Sequence, residues 1–444
     1  MDSPILIDKN YIEELDEDDY SELKSTTIEM IDDYITEHAI KMSSPSFTED
    51  LLLDITHIIY QDLYQSDLCN LNDFDSIMDF AEECFDIVCM FRKIPERSEI
   101  SVDEVIETVT ALTLQKIGEK PQPVQKSSEW YEYRKQHITA SNIWKLIASE
   151  TQYNSFIYDK CANSSANGSY TNNPASPLAW GNKYEAVTTM LYELIYDTKV
   201  GVYGLIEHDN YAFLAASPDG INCGVEGGAR YGRMVEIKNI VNREITGIPS
   251  EPYWAQMQIQ MEVCGLDECD FVETRIKEFA DEDDFYRIKE DENDGATNRW
   301  CGVIASFVEK KSVNMWEYPT LYKYMAPSLN ASARETVSDW VESVKCEMAD
   351  THIFYGVKYW YLDEFSCVLV RRNKLWFNAI LPIISEAWNT ILKERDGGYE
   401  HRAPKKRAIL PDMVVKIDGN NHVFQNIPNS KSICLIKLEE EKTP

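Results

Sequence analysis

The chain of 444 residues has no uninterrupted apolar run of about 18 residues, so no membrane-spanning helix is expected. Its first twenty residues, MDSPILIDKNYIEELDEDDY, lack the basic block and apolar stretch of a secretory leader, and export is not expected. The 11 cysteines are odd in number and contain no C-x-x-C pair; Cys264 and Cys269 have four residues between them. That pattern argues for free thiols in a reducing compartment, cytoplasmic or nuclear, and against a zinc or iron–sulfur site. Positive charge is also scarce: 43 Lys and Arg face 76 Asp and Glu, a net charge of −33, which by itself speaks against a nucleic-acid partner. The deficit is local, however. Residues 1–120 hold 30 acids against 8 bases and carry two thirds of the imbalance. Further on, bases cluster in RRNK (371–374) and HRAPKKR (401–407), and the remainder of the chain is not barred from DNA.

What is present begins with helices. YSELKSTTIEMIDDYITEHAI, FTEDLLLDITHIIYQDLY and DFDSIMDFAEECFDIVCMFRKI each carry apolar residues at three- and four-residue spacing. The Pro-, Lys- and Gln-rich GEKPQPVQKSSE (118–129) reads as a linker and divides an acidic all-helical domain, 1–120, from the rest of the chain. A helix is expected over 128–136 and another from Thr139-Ala140-Ser141. A polar loop at 163–177 precedes the strong helical pattern LAWGNKYEAVTTMLYELIYD. KVGVYGLIEH, YAFLAASPD and GRMVEIKNIV read as strands, EPYWAQMQIQMEVCG as helix and CDFVETRIKEF as strand. This order describes an α+β fold, a mixed central sheet flanked by helices, in a domain spanning 121–400. Residues 281–295 read as a solvated acidic loop, and 401–444 as a C-terminal β extension with a small hairpin.

Chemistry centres on SPDG (217–220) and VEIK (235–238). Residues two apart in a strand share a face, so Glu236 and Lys238 point together while Ile237 turns away. An edge strand or an exposed ion pair accounts for this as well as a site does. If Asp219 ends the neighbouring strand, its carboxylate can lie beside that of Glu236. Two converging carboxylates call for a hard cation, Mg²⁺ or Mn²⁺, which can polarise a phosphoryl oxygen and acidify a bound water. Lys238 would then orient that water or steady charge on phosphorus.

Asp219, a loop, then Glu236-Ile237-Lys238 resembles the PD-(D/E)xK nuclease superfamily, with Pro218-Asp219 as its literal P-D. Five blocks sharpen the resemblance: WYEYRKQHITASNIWKL (130–146), WGNKYEAV (180–187), ASPDG (216–220), VEIK (235–238) and YWAQMQIQM (253–261). They follow the order seen in YqaJ-type viral recombinases, the family of phage lambda exonuclease. The resemblance implies a PD-(D/E)xK core, with Glu185, Asp219 and Glu236 as ligands for two Mg²⁺ or Mn²⁺ ions. It makes Lys238 the catalytic lysine and Gln256 a helix glutamine near the site. It also implies a pocket for a 5′-terminal phosphate made by Arg134, Ser141 and Ser217, with Trp130 as wall or stacking platform; His137 is read as structural. Arg134 could fork two hydrogen bonds to a phosphate.

The activity so implied is a metal-dependent 5′→3′ exonuclease on double-stranded DNA ends, serving viral DNA recombination, repair or replication in a host cell. An endonuclease of the same fold and a non-catalytic binding module are the rival readings. A single-strand annealing recombination protein is an expected partner, and the family's ring-shaped homotrimer an expected assembly. Three departures from the compact phage pattern bear on that ring: the acidic N-terminal unit, the 281–295 insertion and the sequence after 395.

Overall fold

The computed structural model describes residues 12, 15–66, 68–70, 73–100, 111–162, 176–287, 299–310 and 321–404, and strand residues 416–417, 423–424 and 435–436. Met1–Tyr399 form one compact unit and Glu400–Pro444 another.

The larger unit opens with three helices that follow the apolar spacing: α1 (Glu17–His38), α2 (Phe47–Gln65) and α3 (Phe74–Arg92). The Asp16 carboxylate caps α1 by accepting the N–H groups of Asp18 and Asp19. Acids at 17–19 complement the positive end of that helix. A short strand, β1 (Glu99–Ile100), and helix α4 (Ala111–Glu119) lead to α5 (Ser128–Lys135), β2 (Ile138–Thr139), α6 (Lys145–Ala148) and α7 (Glu150–Cys161). Helix α8 (Pro177–Ile195) starts with Ser176 as cap and Pro177 in its first turn. Then come β3 (Val200–Gly201), β4 (Ile206–Glu207), β5 (Leu214–Ala216), β6 (Gly220–Asn222) and β7 (Met234–Asn239), followed by α9 (Glu251–Cys264) and β8 (Glu268–Glu278). The unit ends with α10 (Glu282–Arg287), β9 (Trp300–Glu309), β10 (Leu321–Tyr324), β11 (Ser328–Leu329), α11 (Arg334–Met348), β12 (His352–Arg371) and α12 (Lys374–Gly397).

Among the described residues the main sheet runs β10-β9-β12-β8-β7-β6-β3, with β1 on β12 and β11 on β9. Only the β7–β8 pair in it is parallel, so the sheet is mixed, as the sequence pattern predicts. A small sheet, β2-β5-β4, lies apart from it. Among the described residues the smaller unit has three short strands, β13 (Lys416–Ile417), β14 (Val423–Phe424) and β15 (Leu435–Ile436), one more than the expected hairpin. Of the acidic stretch read as a loop, residues 282–287 form α10, whose Phe285 is buried against Tyr359; 288–295 lie outside the described residues, as do 163–175 of the expected polar loop.

The fold class is α+β, with a helical N-terminal region ahead of the sheet. One continuous core extends from Ile31 and Ile35 of α1 through Met257 of α9 and Phe271 of β8 to Trp376 of α12. Trp376 Nε1 donates to the Ile40 carbonyl (3.1 Å), and Arg97 donates to the carbonyls of Met42, Ser43 and Pro249. The stretch expected as a linker is bound along its length. Gln122 Oε1 accepts the Gly204 N–H (2.7 Å), and Gln125 Nε2 donates to the carbonyls of Tyr203 and Pro218 (both 3.0 Å). Glutamine amides and a proline carbonyl, that of Pro123, satisfy loop backbone that would otherwise lack partners.

Candidate active site

Strand β7 is not at an edge: β6 pairs on one side and β8 on the other. Val235 and Ile237 pack with Tyr192 and Val272, which leaves Glu236 and Lys238 on the opposite face, under α9. Glu236 is 0% exposed. A buried carboxylate without partners costs several kcal/mol, and here both oxygens are occupied. Oε1 accepts from Lys238 Nζ and from Gln256 Nε2 (2.8 Å), and Oε2 from Gln260 Nε2 (2.8 Å). Gln256 and Gln260 stand one helical turn apart, so both reach the same carboxylate. The sequence reading names Gln256 and not Gln260, although the i+4 spacing between them is a usable signal. The Gln260 amide also donates to the Ser217 carbonyl (3.1 Å), and its own Oε1 is buried without a hydrogen-bond partner.

Asp219 sits between β5 and β6, its Oδ2 accepting the Ile237 N–H (2.8 Å). That N–H lies just beyond the Gly220–Val235 pairing, so the carboxylate continues the edge that β6 leaves. Gly220 serves differently from the turn bend expected of Asp-Gly. It is the first residue of β6, it is not among the positive-φ glycines, and a Cβ there would collide with Val200 of β3. Burial, then the charges of Glu236 and Glu185, push the Asp219 carboxyl well above the usual carboxylate range, against the opposing pull of Lys238. Burial disfavours the Lys238 ammonium, but Glu236 and Asp219 outweigh it and hold its pKa above the ordinary lysine value. Lys238 is therefore a cation and hydrogen-bond donor, not a free amine base. Its Nζ lies 4.8 Å from the centre of the Tyr253 ring. Glu185 of α8 is partly exposed and takes Lys126 Nζ at 3.2 Å.

Among the described residues no three His, Cys, Asp or Glu side chains form a closed metal shell. Asp219 and Glu236 nevertheless supply hard oxygen donors; burial and then the Glu236 charge raise the Asp219 carboxyl, and a divalent cation would relieve the charge part of this. Mg²⁺ commonly keeps several waters and needs only one or two carboxylates, so this donor set fits it.

A second constellation adjoins the first through Ser217. Ser127 caps α5 by accepting the Trp130 N–H (3.1 Å), and Trp130 Nε1 donates to Ser217 Oγ (3.1 Å). The Arg134 guanidinium lies 4.4 Å from the Trp130 ring centre, and its Nη2 donates to Ser141 Oγ (3.0 Å). Ser141 belongs to a short 3₁₀ turn, Ala140–Asn142, where the sequence pattern predicts an α-helix start. Burial draws the Arg134 pKa below its ordinary value. Behind it, Lys160 Nζ donates to the carbonyls of Arg134 (2.6 Å) and His137 (2.5 Å), and Arg395 Nη2 to those of Lys135 (2.6 Å) and Lys160 (2.9 Å). Burial first, then Arg134 and Arg395, bring the Lys160 ammonium down to about 7. His137 joins the Tyr133 carbonyl (2.8 Å) to Glu207 (3.1 Å), a structural role. No local sequence signal marks Lys160 or Arg395, which meet α5 from remote helices.

The structure thus gathers Asp219, Glu236, Lys238 and Gln256 in one cluster, with Glu185 within electrostatic reach, and Trp130, Arg134, Ser141 and Ser217 in an adjoining chain. A separate cleft of about 1160 Å³, lined by Phe85, Arg97, Trp254 and Arg372 among others, contains none of them. Among the described residues no helix is long and apolar enough to cross a membrane.

Glu236 is thus buried and Lys238 partly buried on an interior strand, with Asp219 in the connection before β6. Residues 129–267 match the model of the YqaJ-like viral recombinase domain, which bears out the resemblance over that stretch. An uncharacterised protein, R354, of Acanthamoeba polyphaga mimivirus is 29% identical over 333 residues, covering 69% of this chain and 59% of that protein. The chain therefore spans about three fifths of the length of this relative. Among solved structures, LHK-Exo in complex with dAMP is 16% identical with a TM-score of 0.34, over 62% of this chain and 98% of that one. The alkaline exonuclease LHK-Exo from Laribacter hongkongensis aligns similarly, with 16% identity and a TM-score of 0.33, over 62% and 95% of the two chains.

Proposed function

We propose that the protein is a divalent-metal-dependent deoxyribonuclease that degrades duplex DNA 5′→3′ from a 5′-phosphorylated end during viral DNA recombination, repair or replication. The observation that carries the reading is Glu236: fully buried on an interior strand, tied to Lys238, Gln256 and Gln260, and beside an Asp219 of raised pKa. A merely structural position would more cheaply hold an apolar residue.

In this reading Asp219 and Glu236, with Glu185, hold one or two Mg²⁺ or Mn²⁺ ions, which when bound polarise the phosphoryl group and acidify a water. Lys238, kept cationic by its neighbours, donates a hydrogen bond to the attacking oxygen and offsets negative charge developing on the phosphate. Gln256 and Gln260 hold Glu236 in place, so its oxygens need no reorganisation during the reaction. Arg134, Ser141 and Ser217 receive the 5′-terminal phosphate, and Trp130 forms the wall against which the end of the strand stops. Because Gln260 bonds both Glu236 and the Ser217 backbone, the phosphate pocket and the hydrolytic cluster keep a fixed spacing.

The test compares linear duplexes with and without 5′-phosphate and a closed circular duplex, each in Mg²⁺ and in EDTA. Expected is degradation of linear DNA only, faster with the 5′-phosphate and abolished by EDTA. Equal rates on both linear substrates would remove the end-recognition reading, cutting of the circle would select an endonuclease, and no cutting at all would remove the nuclease.

A further inference from the structure

The face that carries Glu236 and Lys238 continues onto β8. In the parallel register Lys238 stands beside Glu273, so their side chains emerge on the same side. Glu273 is 1% exposed; its Oε1 pairs with Arg243 Nη2, and its Oε2 is buried without a hydrogen-bond partner. Arg243 belongs to the connection between β7 and α9, and its side chain remains 44% exposed. Its guanidinium lies 5.8 Å from the centre of the Tyr253 ring, the ring that also meets Lys238. The backbone is held as well: Arg275 Nη2 donates to the Arg243 carbonyl (2.7 Å), while Arg275 Nη1 pairs with Glu364.

As a source of stability this pair is poor, because burying the Glu273 charge offsets most of the attraction gained. As a means of holding a guanidinium still it is effective. Nη2 is fixed against a buried carboxylate, Nη1 donates to the Glu244 carbonyl (3.1 Å), and nearly half of the side chain still faces solvent. In a chain of net charge −33, a fixed exposed cation next to Lys238 gives polyanionic substrate a local landing point that the overall charge does not.

We propose that Arg243, positioned by Glu273, grips a backbone phosphate of the nucleic-acid strand entering the site. The inference rests on the nuclease reading and adds to it a contact outside both the metal cluster and the 5′-phosphate pocket. The probe is a short fluorescein-labelled, 5′-phosphorylated duplex, titrated with the full chain in EDTA over a range of salt concentrations. Arg243→Gln should weaken binding about tenfold. It should also lower the slope of log Kd against log salt by about one, the signature of one lost phosphate contact.

Removing the arginine alone strands the buried Glu273 charge, so the double variant Arg243→Gln/Glu273→Gln is measured beside it. If Arg243 binds phosphate, the double variant recovers thermal stability and stays weak on DNA. A double variant that recovers both affinity and salt slope, or a single variant whose affinity and slope match the wild type, overturns the proposal. A wild-type chain that neither binds the duplex in EDTA nor cuts it in Mg²⁺ overturns the nuclease reading itself.

Discussion

Two lysines separate the two halves of the site. Lys238 is pressed among carboxylates, Glu236 and Asp219, which keep its pKa above the ordinary value despite burial. Lys160, behind the Arg134 pocket, has backbone carbonyls as partners and two arginines as neighbours, and burial brings it down to about 7. One cluster is rich in negative charge and is eased by a cation; the other is rich in positive charge and is eased by an anion. A metal at the first and a phosphate at the second would each supply the charge that its surroundings lack. The chain as a whole is acidic, and yet its sites have opposite demands.

The contrast breaks most visibly at Lys238. Lys238→Ala leaves Glu236 with its glutamine donors but without a countercharge, and nuclease activity is expected to fall about 10²- to 10³-fold. Single-turnover digestion of a 5′-phosphorylated linear duplex measures it; undiminished activity would take Lys238 out of the mechanism. Arg134→Gln is next. It keeps the site but removes the charged fork, so the rate advantage of 5′-phosphorylated over 5′-hydroxyl ends should shrink about tenfold, while digestion of the hydroxyl substrate changes little. Equal losses on both substrates would mean that Arg134 supports the fold and not the end.

The halves also differ in how far their sequence announces them. Glu236 and Lys238 are legible because a strand puts alternate residues on one face, and Asp219 because Ser-Pro-Asp-Gly ends a strand beside it. Pattern alone leaves open whether β7 is an edge strand; only the pairing with both β6 and β8 makes the buried Glu236 distinctive. Gln260 is harder to read, since a polar residue between Ile259 and Met261 looks like an interruption of the core and not a partner for a strand carboxylate. Lys160 and Arg395 carry no signal, because their partners are carbonyls of α5 and nearby backbone, reached only after α7 and α12 pack against that helix. The first three helices are readable from spacing alone. Their attachment is not: Trp376 reaching the Ile40 carbonyl and Arg97 reaching Pro249 are contacts between segments far apart in the chain.

The smallest expected effect is the one that tests the contrast between the lysines most directly. For Lys160, whose pKa falls from 10.5 unfolded to about 7 folded, the unfolded chain holds a proton between those values that the folded chain has released. Stability from this group therefore rises with pH across that window and is lost as pH falls through about 7. Lys238 has the opposite sign: its contribution is fully present below the unfolded value of 10.5 and is lost only as pH rises through its elevated folded pKa. The difference in Tm between the wild type and Lys160→Met should accordingly shift in favour of the wild type from neutral pH toward 10 and stay level below neutrality. Thermal denaturation in EDTA across that range measures it, and subtracting the variant cancels the tyrosines and cysteines that titrate in both proteins. A flat difference would mean that Lys160 keeps its proton throughout, and the contrast drawn between the two lysines would lose its basis.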